Sequence, residues 1–141
     1  MDRYRAEIER GLGKTVLNAM LAELDDHMGE AWEEAFRHHL RRLAGSGALG
    51  EDVVAIGRWW REGSEEDIDA VVLAGRTREA VLVGEAKWTK SIDAVPLLRA
   101  LERKAERLSR VRQPLRFSVC ARERVRNAPG RSLAVTAADI F

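Results

Sequence analysis

The chain has a single cysteine, Cys120, among its 141 residues. One thiol excludes an internal disulfide framework and supplies no cysteine-based metal pattern. It lies in an apolar, strand-like run, which predicts a buried, inert thiol and fits a reducing cytoplasm. No apolar run is long enough to span a bilayer. The N-terminus, acidic and arginine-bearing, is not that of a signal peptide. Internal repeats and low-complexity segments are missing as well. So is any overall charge bias: 24 Lys and Arg stand against 23 Asp and Glu, for a formal net charge of +1. At 45% hydrophobic and 33% charged, the composition is that of a soluble globular protein. The length predicts one domain over 1–141, with enough chain to bury a core without staples.

Charge is unevenly spread along the chain. From Arg99 to Arg126 ten basic residues face only Glu102, Glu106 and Glu123, whereas the first third and the Asp69 region are acidic. A basic half beside an acidic cluster suits a polyanion held near a metal. A solvated helix face laced by ion pairs explains the same arginines equally well, and both readings stand.

Residues 1–14 read as polar and weakly structured, with Gly11 and Gly13 as breakers. GLGKT at 11–15 is not a phosphate-binding loop. The pattern needs a glycine where Ile8 stands, and no apolar strand precedes it. Thr15 is expected to help cap the helix that follows. Helical periodicity covers Val16–Leu24 and Glu30–Leu43, with a separation expected near Gly29. In the second stretch Trp32, Phe36, Leu40 and Leu43 form one apolar stripe, and Glu33 lies at its edge. A local Glu33–Arg37 pair is the simple reading of that acid. His27, His38 and His39 lack the spacing of a helical metal pair.

After a glycine-rich loop, Val53–Arg61 reads as a strand whose Trp59 and Trp60 face opposite ways, one of them toward the core. Two further strands follow, joined by a hairpin at Gly75–Arg76–Thr77. Ser91 or Asp93 can cap a helix with Pro96 in its first turn and a stripe of Val95, Leu98, Leu101, Ala105 and Leu108. That helix is expected to end at Gln113–Pro114. Leu115–Ala121 reads as a strand, Arg124–Arg131 as a polar loop, Ser132–Thr136 as a last short strand and Ala137–Phe141 as a stub. A helix between the third and fourth strands makes a crossover, which places those strands parallel. The expected fold is α/β, a mixed sheet flanked by helices on both faces.

The stretch from Glu65 to Trp88, EEDIDAVVLAGRTREAVLVGEAKW, carries the chemistry. Asp69 falls on one strand; Glu85 and Lys87, two apart on the next, project to the same side. Charges in so apolar a strand must be paired or used. Carboxylates hold Mg²⁺, the metal activates water and polarises a phosphoryl group, and a lysine steadies the charge that develops. The Ala86 carbonyl between them is a third candidate oxygen ligand.

Asp69 followed by Glu85-Ala86-Lys87 resembles the PD-(D/E)XK, or restriction-endonuclease-like, nuclease superfamily. The blocks GEAWEEAF (29–36), GRWW (57–60), EEDIDAVV (65–72) and GEAKW (84–88) resemble, in order, the nuclease-like domain that ends archaeal-type DEXX-box ATPases. The resemblance spans about Met1 to Cys120, with Ile68–Asp69 in place of Pro-Asp. It implies Asp69, Glu85 and the Ala86 carbonyl as ligands of Mg²⁺ or Mn²⁺, Lys87 as the catalytic lysine, and Glu33 as the acid completing the site. It implies a metal-dependent nuclease domain acting on DNA. The alternative is a catalytically silent nucleic-acid-binding or regulatory module of an ATPase. The expected partners are DNA and an ATPase domain or protein, with a second copy of the chain as another candidate. Residues 1–14 are then a flexible lead or a linker to an upstream ATPase.

Overall fold

A computed structural model describes residues 13–141. The expectations for residues 1–12, including the start of GLGKT, lie outside the described residues. The first element is a single helix, α1 (Gly13–Gly45). The two helices expected from the sequence are therefore one, and Thr15 lies inside it rather than capping it. A glycine in a helix interior costs about 1 kcal/mol relative to alanine. At Gly29, between strong helix formers, that cost does not stop propagation.

The chain groups into two compact units, one up to Ala31 and one from Trp32 to Phe141. In the first, the described residues are helical, and Leu24 is exposed. The second unit carries the sheet. Its strands are β1 (Val53–Trp60), β2 (Asp67–Ala74), β3 (Glu79–Ala86), β4 (Ser91–Asp93), β5 (Val111–Cys120), β6 (Arg124–Arg126) and β7 (Leu133–Val135). Helices α2 (Ala94–Ala105) and α3 (Ala137–Ile140) complete it. The main sheet has the order β1-β2-β3-β5-β7. The first two pairings are antiparallel, and β3–β5 and β5–β7 are parallel. The helical crossover between β3 and β5 gives them their parallel sense.

Helices cover both faces. Trp32, Phe36 and Leu40 of α1 pack with Ala70, Val72, Leu82 and Cys120. On the other face Leu101 and Ala105 of α2 meet Ile68, Val71, Ala80 and Val83. The α1 face is close-packed onto β3 at Gly84, where a Cβ would lie 2.7 Å from Phe36 Cζ. Only glycine lets the ring lie there. Trp59 packs toward the core and Trp60 is exposed, as alternation requires. Asp93 caps α2, accepting from the Val95 N–H at 3.1 Å.

Several boundaries differ from the sequence expectation. Helix α2 ends at Ala105, and Gln113–Pro114 lies within β5. The β3–β5 ladder is irregular between the pairs Ala80–Val111 and Leu82–Arg116, so proline sits where no regular ladder bond is asked of it. Val95, placed on the apolar stripe, is exposed. The polar loop after Cys120 contains β6, paired in parallel with β4 as a separate two-stranded sheet. Three-residue strands are too short for alternation to reveal. The terminal stub forms α3, closed by a capping box between Thr136 and Asp139.

Candidate metal-binding carboxylate site

The irregularity that matters most is in β2. Gly57 pairs with Val71 and Trp59 with Ile68, so Arg58 faces two residues, Asp69 and Ala70. This is a β-bulge, which re-aims side chains and often lies beside functional sites. Its effect on alternation is direct: Ile68 packs on the α2 face and Ala70, two residues on, packs on the α1 face. Asp69 is at the break. Its carbonyl accepts from Arg37 Nη1 of α1 at 2.6 Å, and its Oδ2 accepts the Ala86 N–H at 2.9 Å. Backbone and side chain of Asp69 are thus tied to different elements, and the residue is buried.

Glu85, near the end of β3, is buried beside Asp69. Burial, then the hydrogen-bonding contact with Asp69 and its charge, raise the Glu85 carboxyl to about 8, against an opposing pull from Lys104. Lys104, near the end of α2, places Nζ 2.8 Å from Glu85 Oε1. Burial draws the Lys104 ammonium down, but Glu85, with Asp67 and Asp69 behind it, more than reverses this and holds it above its ordinary range. Two carboxyl side chains, Asp69 and Glu85, thus share the single ammonium of Lys104 in a largely dry setting. The cluster is therefore pushed toward taking up a cation or a proton.

Glu33, half-buried on α1, joins the acidic side of the site. Its carboxyl is raised by burial and next by Asp69, while Arg58 and Arg37 oppose. The local Glu33–Arg37 pair expected from spacing is replaced: Arg37 Nε bonds Glu34 at 3.0 Å. Lys87 is the first residue past β3 rather than a member of it. Its N–H continues the ladder to the Cys120 carbonyl at 2.9 Å, and its side chain is exposed. Among the described residues no ion pair joins Lys87 to Asp69 or Glu85; Lys104 has that role. Ala86 is buried between them, with its N–H committed to Asp69.

Sequence reasoning missed Lys104 and Arg37. Lys104 is one of the ten basic residues between Arg99 and Arg126, and it directly precedes the buried Ala105, at the margin of the apolar stripe. That position is the signal that could have found it. A cavity of about 520 Å³ opens between β1 and the β2–β3 hairpin, lined by Trp59, Leu73 and Arg78 among others.

The donor set fits a hard divalent cation. Mg²⁺ is commonly held by one or two carboxylates, with water and phosphate oxygens filling its remaining positions. Asp69 and Glu85 supply that pair. Among the described residues no three His, Cys, Asp or Glu side chains gather closely enough to cage a metal.

A family model described as archaeal and bacterial proteins of unknown function, DUF234, matches residues 1–107. The chain belongs to this family. The DUF234 match takes in Glu33, Asp69, Glu85, Lys87 and Lys104 and ends before β5. No curated protein and no solved structure matched the chain.

Proposed function

We propose that this DUF234 chain is a nuclease-like domain of the PD-(D/E)XK type, cleaving phosphodiester bonds in DNA with Mg²⁺ or Mn²⁺. The observation that carries the reading is the buried pair of Asp69 on β2 and Glu85 near the end of β3, with Glu33 beside it and Lys87 just past the strand. Asp69 and Glu85 would hold the metal, and the Ala86 carbonyl is the third oxygen nearest to hand in sequence. When bound, the ion supplies a water of lowered pKa and polarises the phosphoryl group.

The chain's own residues do the rest. The Ala86 N–H fixes the Asp69 carboxylate, and Arg37 fixes its backbone. Lys87, exposed past the end of β3, can meet the scissile phosphate and stabilise the charge that builds there. Glu33 lines the same acidic wall and can orient a water.

The test is cleavage of linear, nicked and branched DNA with Mg²⁺ or Mn²⁺, run beside Lys87→Ala. We expect cleavage that the variant loses by at least about a hundredfold, the scale of one transition-state contact. Asp69→Ala should abolish metal-dependent thermal stabilisation; if it leaves that unchanged, the ligand assignment is wrong. One observation favours a second reading. The Lys104–Glu85 contact makes the cluster self-neutralising in part, as in a catalytically silent module that binds nucleic acid or regulates an ATPase. Metal-independent DNA binding without cleavage would identify that module.

A further inference from the structure

Lys104 stands where the carboxylates need a positive charge, and it comes from α2 rather than from β3. Its Nζ is 2.8 Å from Glu85 Oε1, and Glu85 is 3% exposed while Lys104 is 28% exposed. The acid is locked in the sheet; the ammonium is on a long stem at the edge of α2. Beside it opens a cavity of about 340 Å³ lined by Glu66, Ala100, Arg103, Lys104, Glu106 and Arg107. An ammonium leaving Glu85 therefore has open space to enter, where Glu66, already 3.7 Å from Arg107, and Glu106 offset the charges of Arg103 and Arg107.

Resting on the metal-dependent reading above, we infer that Lys104 is the resident counter-ion of the carboxylate pair, and that a divalent cation binds by displacing it from Glu85. It is a positioning residue that acts through Glu85. A cation and an ammonium cannot both take the same carboxylate oxygens without strong like-charge repulsion, which in a poorly solvated site is weakly screened. Lys104 thereby sets the metal affinity: it keeps the empty site folded and imposes a threshold on occupancy.

The consequence runs opposite to that of an ordinary structural ion pair. Loss of a purely structural lysine would loosen Glu85 and weaken metal binding. Loss of a competing charge strengthens it. Lys104→Gln removes the charge but keeps an amide that can donate to Glu85, and Lys104→Arg keeps the charge. The experiment measures Mn²⁺ dissociation constants by calorimetry at pH 8.5 for the unchanged chain and both variants, with thermal denaturation of the metal-free proteins alongside.

We expect Lys104→Gln to bind Mn²⁺ about tenfold more tightly, the effect of one partly screened charge, while melting at a lower temperature without metal. Lys104→Arg should stay within about threefold of the unchanged chain. Unchanged or weaker binding in Lys104→Gln, with normal binding in the unchanged chain, overturns the counter-ion role and leaves the metal site standing. Absence of Mn²⁺ binding in all three overturns both. Binding by Lys104→Gln alone would be the strongest form of support.

Discussion

Asp69 is held from two directions, and each hold is open to test. The bulge takes its carbonyl out of a regular ladder, and Arg37 supplies the donor. Arg37→Met leaves that buried acceptor unpaired, a change that typically costs about 1–3 kcal/mol. Urea denaturation should show a loss of that size, and Mn²⁺ affinity should fall with it because Asp69 is no longer fixed. Cys120 makes a different kind of prediction. It is fully buried, and burial, reinforced by Asp139 and Asp69, pushes its thiol up to about 12. A raised value means the native state keeps its proton longer than the unfolded one. The associated stability is therefore present at neutral pH and is lost only as pH climbs toward 12. At pH 8 the native thiol should react with iodoacetamide on the order of a thousandfold more slowly than in urea, since the thiolate is the nucleophile. Equal rates would mean that β5 opens readily. This inertness was legible from the sequence, because an apolar run around one cysteine already implies burial. Arg37 was not, because a partner on another element has no signature in local spacing.

At the level of elements, the contact between α1 and β3 decides whether the site assembles. Phe36 lies over Gly84, the residue before Glu85, and on the same helix stands Glu33. Gly84→Ala puts a methyl into the Phe36 ring and also crowds the Ser118 carbonyl at 3.3 Å. Overpacking of this kind costs about 1–3 kcal/mol. Denaturant titration should show that loss, with a further drop in metal affinity as α1 is pushed outward. Stability lost without any change in metal affinity would mean that α1 and Glu33 contribute nothing to the site. The stripe of Trp32, Phe36 and Leu40 was readable because a 3.6-residue period survives any tertiary detail. So were the hairpin and the parallel crossover. Gly29 and Pro114 misled for a common reason. Each is a breaker by propensity, but a long helix absorbs one glycine, and an irregular ladder absorbs one proline. Lys104 was hidden because periodicity assigns a residue to a face and does not say how far a long stem reaches from its margin.

For the molecule as a whole, the nuclease reading asks which residues of the basic half are free to meet a polyanion. The structure divides those arginines by task. Arg112 bridges Asp52 at 3.0 Å and Glu79 at 3.4 Å, tying β5 to the loop before β1 and to β3. Arg110 donates to the Thr77 carbonyl in the hairpin, and Arg122 lies over the Trp88 ring at 4.5 Å. These charges are occupied with holding the fold. Arg99 and Arg103 on α2 and Arg124 on β6 are exposed, and among the described residues none of the three is in an ion pair. On the nuclease reading they, rather than the whole run from Arg99 to Arg126, contact phosphate. Each phosphate contact contributes about 0.9 to the slope of log affinity against log salt on duplex DNA. Arg99→Gln with Arg103→Gln should therefore lower the magnitude of that slope by about 2 when duplex binding is followed by fluorescence anisotropy across a NaCl series. Arg112→Gln should leave the slope unchanged and lower the melting temperature only slightly, as loss of an exposed ion pair does. A slope that fell as much in Arg112→Gln as in the double variant would mean that the fold-holding arginines release their partners for DNA. The basic half would then act as one continuous surface.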